Sequence, residues 1–222
     1  VRIKEIDIKN GAVFIADSHY KKGDKSFLNF LNFLVKKNPP QVFFMGDIFH
    51  LLLPFEYLKK YNQEAIELIN KLSKKTEVYY IYGNHDFCID EFFPAVTFAD
   101  AFTDIEKSVY LSHGDLDNES FFYKLYSMII RNKITLNLIH IFSFNFVNNW
   151  LFKKFLNKKI KCQKIDLNLN IAKKYDYIII GHYHISKSIS SIKILPSFFC
   201  SGKYNIIQLD NKIKFKELNY GR

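Results

Sequence analysis

Short apolar runs that end abruptly in polar clusters organise this chain. "AVFIA" (12–16) stops at Asp17-Ser18-His19, "QVFFMG" (41–46) at Asp47, and "EVYYIYG" (77–83) at Asn84-His85-Asp86. "SVYLS" (108–112) stops at His113-Gly114-Asp115 and "DYIIIG" (176–181) at His182-Tyr183-His184. Runs of this length bounded by turn-forming residues predict buried strands that feed loops. Between them, "KSFLNFLNFLVKK" (25–37) places Phe27, Phe30, Leu31 and Leu34 at helical spacing, with Pro39-Pro40 as the stop. "FEYLKKYNQEAIELINKLSKK" (55–75) predicts one amphipathic helix or a pair. The tail alternates through "ISKSIS", "IKILPSFF", "KYNIIQLD" and "KIKFKEL", so it predicts strands with a turn at Asp210-Asn211. "VRIKEIDIKNGAVFIADSHY", at the start, alternates charged and apolar residues as a strand does and a signal peptide does not.

A chain of 222 residues suits one domain, with an inserted subdomain at about 116–172. Its 48% hydrophobic and 17% aromatic content excludes disorder. Cys88, Cys162 and Cys200 form no CxxC pair, a pattern expected of a reducing compartment rather than of a disulfide framework.

Charge changes the picture more than composition does. Between Ser120 and Ile165 there is no acidic residue, while Lys124, Arg131, Lys133, Lys153, Lys154, Lys158, Lys159, Lys161 and Lys164 fall there. That block nearly accounts for the net charge of +10 and predicts a surface for anions. Within it, Ile134 to Phe152 carries no charge, but Thr135, Asn137, His140, Ser143, Asn145, Asn148 and Asn149 make a poor membrane span. Two readings remain. Phe142, Phe146 and Trp150 could pack as a core helix, or they could face lipid with Arg131, Lys133, Lys153 and Lys154 at headgroup level. Insertion between the fourth and fifth strand-end clusters favours the second, a cap over the site.

The chemistry lies at those clusters. In open α/β sheets, ligands bind outside the carboxyl ends of the strands, so five clusters there can converge. Five of the seven histidines belong to them. A mixed Asp/His/Asn set suits manganese, iron or zinc, and there are more donors than one ion needs. Two ions sharing a carboxylate recur in phosphoryl hydrolysis, where they lower the pKa of water and offset charge on the phosphoryl oxygens. His50 and Asp86 are placed to orient a ligand, Asp115 to cap the segment after it, and His140 has no metal role.

"DSH", "GDIFH", "GNHD", "HGD" and "GHYH", in this order, resemble the motifs of the calcineurin-like metallophosphoesterases. The resemblance implies an α/β fold, a four-layer αββα sandwich with a helical cap insertion, and a dinuclear site, most simply Mn²⁺. By analogy, Asp17, His19 and His184 hold one metal, Asp47 bridges, and Asn84, His113 and His182 complete the second. His85 would then stabilise the phosphate and protonate the leaving group. An insert after "HGD" is similar to that of one branch, the UDP-2,3-diacylglucosamine pyrophosphatases of lipid A synthesis, although there an arginine stands at the position of His85. That branch implies a lipid-linked nucleotide substrate, release of UMP, and peripheral association with the cytoplasmic face of the inner membrane. Lys124 or Arg131 would pair with the diphosphate, and no nucleic acid or obligate protein partner is expected. A nuclease or nucleotide phosphodiesterase of the same superfamily is the alternative, and a non-catalytic binding module a distant third.

Overall fold

The apolar runs become strands because both of their faces are covered. The computed structural model describes residues 2–115, 122, 125, 129, 131–132, 134–136, 138, 153–162, 175–210 and 212–221. Strands β1 (Ile3–Glu5) and β2 (Val13–Ile15) precede helix α1 (Lys25–Lys37) and β3 (Gln41–Phe44). Helices α2 (Glu56–Tyr61) and α3 (Gln63–Leu72) lead to β4 (Glu77–Ile81), β5 (Val96–Ala99), β6 (Ala101–Asp104) and β7 (Val109–Ser112). The later elements are β8 (Tyr177–Ile180), β9 (Lys187–Ile189), β10 (Ile192–Ile194), the one-turn helix α4 (Phe198–Ser201), β11 (Lys203–Leu209) and β12 (Ile213–Asn219).

Two mixed sheets pack face to face, in the orders β12-β11-β2-β3-β4-β5 and β1-β6-β7-β8-β10-β9. Along β2 and β3 the side chains alternate between two cores. Val13, Ile15, Val42 and Phe44 face α1, α2 and α3, whereas Phe14 and Phe43 face the second sheet beside Phe102, Leu111 and Ile179. Burial on both sides is why these strands read as unbroken apolar runs. Phe14, Phe43 and Tyr79 stack across three neighbouring strands with centroids 4.6 and 4.9 Å apart. Strands β2, β3 and β4 run parallel in one sheet, and β7 and β8 run parallel in the other. Their carboxyl ends therefore meet along one edge of the sandwich.

Helix α1 matches its expected span. Asp24 caps it, accepting from the backbone N–H of Ser26 (3.0 Å) and Phe27 (3.3 Å), and Asn38 closes it at φ 51°. Residues 55–75 form a pair of helices because Asn62 breaks them, donating its amide to the carbonyls of Leu51 (3.1 Å) and Leu58 (2.8 Å). Strands β5 and β6 are additions; the single residue Asp100 carries the chain from one sheet to the other, with no turn signal to mark the passage. "IKILPSFF" is only half strand. Ser197 Oγ accepts from the Cys200 N–H at 3.2 Å and turns Phe198–Ser201 into a helical turn.

The expectation of unpaired cysteines is corrected. Cys162 and Cys200, 38 residues apart, form a disulfide with Cα atoms 5.5 Å apart, whereas Cys88 stays a thiol. Sequence spacing shows only local pairs, and this pair is made by tertiary folding.

Most of the expected cap, including Lys124, Lys133, His140, Phe142, Phe146 and Trp150, lies outside the described residues. Where the cap is described, Phe122, Leu125 and Ile129 are helical, spaced three and four residues apart, and 79%, 40% and 51% exposed. Among the described residues no helix is long and apolar enough to cross a membrane.

Candidate metal centre at the strand ends

The chain turns sharply as it leaves β2, β3 and β8. Asp17, His19, Asp47, His182 and His184 all occupy the left-handed region, with φ between 42° and 66°. Backbone strain of this kind costs about 1–3 kcal/mol per residue and persists where surrounding contacts over-determine it. Those contacts are present. Asp17 N–H donates to Gly46 O (3.1 Å) and His19 N–H to Asp47 O (2.9 Å), so the first loop is laced to the second. Asp17 Oδ2 accepts from the His182 N–H at 2.9 Å, which ties β2 in one sheet to β8 in the other.

Asp86 organises the remaining loops. Its two oxygens accept from the N–H groups of Asp47 (3.0 Å), Ile48 (2.6 Å), Phe49 (3.0 Å) and Gly83 (3.0 Å), and from the Tyr80 hydroxyl (2.6 Å). Burial, then the Asp47 carboxylate, push its pKa up to about 6. The hydrogen bonds from the Tyr80 hydroxyl and the Phe49 N–H act against both effects, in favour of the ionised form, and limit the rise. Asp86 thus holds the main chain around Asp47, in keeping with the expectation that it orients a candidate ligand. Ser197 is a positional residue that the pattern did not signal; its buried hydroxyl donates to Asp17 O at 2.8 Å.

The side chains then converge. Asp17, His19 and His184 form one group whose potential ligand atoms lie within 4.8 Å of one another, and Asp47, His113 and His182 form another. Asp47 stands between them. Its Oδ2 is 3.5 Å from His113 Nε2 and 4.0 Å from both His19 Nε2 and His85 Nε2, and its Oδ1 accepts from the His85 N–H at 2.9 Å. Asn84 Oδ1 and His19 Nδ1 are buried and find no hydrogen-bond partner among the described residues. His19 Nε2 faces His184 Nε2 at 3.0 Å, and His182 Nδ1 faces His113 Nε2 at 3.2 Å. Imidazole nitrogens gathered this closely around carboxylates, with an amide oxygen left over, fit a pair of borderline divalent cations.

Electrostatics points the same way. Burial disfavours a charged His113, but Asp47, Asp115 and Asp17 outweigh it and raise the pKa to about 10. Burial likewise opposes ionisation of Asp47, yet His113 and His85 hold it well below the usual carboxylate range. His19, by contrast, is pushed down to about 3 by burial despite Asp47, so its imidazole is neutral and able to donate a lone pair. Positive charge is drawn to the His113 side of Asp47, where a cation can replace a proton.

The match to a family model decides what this geometry belongs to: residues 12–186 fit the calcineurin-like phosphoesterase model. This chain is a calcineurin-like phosphoesterase. The family is one of metal-dependent enzymes, in keeping with the donor set at the strand ends. The phosphoesterase is also similar to the UDP-2,3-diacylglucosamine hydrolases of Chromohalobacter salexigens (29% identity over 113 residues) and Coxiella burnetii (30% over 112 residues). Each match covers 46% of this chain and 46% of the relative, so the phosphoesterase spans about half the length of the curated relatives it matches. The solved structure of the phosphoesterase Yfce from E. coli aligns over 95% of this chain and 99% of its own, at 14% identity and a TM-score of 0.45.

The other expected site residues fall as follows. His85 Nδ1–H donates to His50 O at 2.7 Å, which directs Nε2 toward Asp47 and leaves the ring partly exposed. His50 is buried, with Nε2 3.2 Å from Phe155 O. Arg131 pairs with the buried carboxylate of Asp115 and lies over the Phe87 ring, 5.7 Å from its centroid. Asp115 thus holds an arginine, and the segment after it that it is expected to cap lies outside the described residues.

Glycine at 46 allows the groups to come this close. A Cβ there would lie 2.7 Å from His113 Cγ, at a backbone φ of +86°, and His113 cannot retreat because its Nδ1–H donates to Met45 O at 2.9 Å. Gly46→Ala is expected to displace His113, lower stability by about 1–3 kcal/mol and reduce the amount of divalent metal bound. Thermal melts and metal analysis measure both; unchanged metal content would show that His113 is not held as a ligand.

Proposed function

We propose that this phosphoesterase hydrolyses the diphosphate of UDP-2,3-diacylglucosamine, releasing UMP and 2,3-diacylglucosamine 1-phosphate. The observation that carries the reading is Asp47 standing between two Asp/His groups at the edge where both sheets end. Two divalent cations held there, most simply Mn²⁺, would activate water and offset charge on the phosphoryl oxygens. Asp17, His19 and His184 hold one position, Asn84, His113 and His182 the other, and Asp47 spans both. His85 binds beside the phosphate. With its Nδ1–H committed to His50 O, Nε2 is the atom that gives a proton to the departing oxygen.

The outward-facing Phe122, Leu125 and Ile129, in a stretch without acidic residues, support an acyl-bearing substrate presented at the cytoplasmic face of the inner membrane. The names of the similar hydrolases support the same substrate. Lys124 supplies a cation for the diphosphate, and the Phe142, Phe146 and Trp150 rings add to the apolar cap. Arg131 contributes there only by loosening its pair with Asp115.

The test is a product assay with Mn²⁺, detergent and UDP-2,3-diacylglucosamine. UMP should appear, and His85→Ala should lower kcat about 10²–10⁴-fold with two metal equivalents retained. Rapid cleavage of small phosphodiesters with no action on the lipid nucleotide would replace this substrate with a nucleotide or nucleic-acid phosphodiester. A His85→Ala enzyme of full activity would remove His85 from the chemistry.

A further inference from the structure

Two histidines of the site are held by main-chain oxygens from the same distant stretch of chain. His184 Nδ1–H donates to Lys161 O at 2.6 Å, and His50 Nε2–H donates to Phe155 O at 3.2 Å. For His184 this carbonyl sets both the tautomer and the ring angle, so that Nε2 points at Asp17 Oδ1 (3.3 Å) and His19 Nε2 (3.0 Å). Acceptors on the far nitrogen of a ligating imidazole fix its orientation and raise its basicity.

A carbonyl can do this only if its own chain is anchored, and residues 153–162 are largely exposed. Leu156 alone in this stretch is buried. A covalent fixed point is Cys162, directly after Lys161, in its disulfide with Cys200. Cys200 lies in α4, and α4 is bound to the opposite side of the same site. Phe198 N–H donates to Ala16 O (3.0 Å), Phe199 N–H to Asp17 O (3.1 Å) and Ser197 Oγ–H to Asp17 O (2.8 Å). The disulfide therefore joins the segment that orients His184 to the segment that carries the backbone of Asp17.

We propose that the Cys162–Cys200 disulfide is a positioning element of the Asp17/His19/His184 cation site, holding the Lys161 carbonyl on His184, and that its reduction weakens that site selectively. The inference rests on reading these residues as metal ligands. A dithiol reductant supplies two electrons and two protons; the S–S bond breaks, Cys162 and Cys200 become thiols, and the reductant leaves as its own disulfide. Lys161 is then no longer tied through Cys162 to α4, the acceptor on His184 is held less firmly, and the Asp47/His113/His182 site, where His113 is fixed by Met45 O and Asp47 by the His85 N–H, keeps its affinity.

The experiment uses the full chain, stripped of metal, in three forms: oxidised, dithiol-reduced and then freed of reductant without air, and as the Cys162→Ser/Cys200→Ser variant. Each is titrated with Mn²⁺ alone, and free Mn²⁺ is read by electron paramagnetic resonance, with circular dichroism to follow folding. The oxidised form should contain one thiol and bind two ions. The reduced form should contain three thiols and bind one ion as before and the second about 10–100-fold more weakly, with recovery on reoxidation. The variant should match the reduced form and ignore the dithiol. Identical titrations of all three forms, or three thiols in the protein before reduction, would overturn the proposal while leaving the metal reading intact. Fewer than two ions on the oxidised form would overturn the metal reading and this inference together.

Discussion

Asp47→Ala should abolish hydrolysis, with a loss of at least about a thousandfold, and should leave at most one bound Mn²⁺ in place of the two proposed for the wild type. The expectation follows from position. Asp47 stands between the two groups, its Oδ2 3.5 Å from His113 Nε2 and 4.0 Å from His19 Nε2, so on the proposed reading its removal takes away the common ligand and the charge that gathers them. The apo-protein offers an independent check. Asp47 is the largest influence that raises the His113 pKa to about 10, and burial is what opposes it. Without Asp47 burial gains weight, so His113 should lose its proton at lower pH than in the wild type. Histidine ring resonances followed by NMR through pH 6–10 should therefore show the His113 transition displaced downward. An unmoved His113 transition, or a variant that keeps two metals, would place the shared carboxylate elsewhere.

The largest loss of stability is expected at a residue that touches no ligand side chain. Asp86→Ala strands four buried N–H groups and the Tyr80 hydroxyl, which all point at the carboxylate. Each abandoned donor costs about 1–3 kcal/mol, and admission of water to the space recovers part of the sum. A net loss of about 3–5 kcal/mol corresponds to a fall in Tm of roughly 6–20 °C for a chain of this size. Tyr80→Phe removes one of the five donors and should cost only about 1 kcal/mol. If thermal denaturation places Asp86→Ala level with Tyr80→Phe, the carboxylate is not the organiser of the Asp47 loop.

The helix and the buried strands were legible because their signals are local. Phe27, Phe30, Leu31 and Leu34 share a face of α1, and runs such as "VFI" and "VFF" are continuous because both faces are covered. The strand-end clusters were legible for a related reason: a parallel sheet sends each polar loop to the same edge, so side chains far apart in sequence meet without further instruction. The passage from β5 to β6 was not legible, since one residue, Asp100, carries the chain between sheets with no glycine, proline or polar cluster to announce it.

Periodicity, strand-end polarity and the run of basic residues after Glu119 follow from the order of residues alone, and they determined the α/β class and the set of candidate donors. Tertiary structure alone decided how those donors are held. Asp86 gathers four backbone N–H groups, Lys161 O sets the His184 ring, Arg131 is taken by Asp115, and Cys162 finds Cys200. Each of these depends on a partner distant in the chain, on a main-chain atom that every residue possesses, or on both. A pattern of side-chain types records neither where such a partner lies nor which carbonyl will face it.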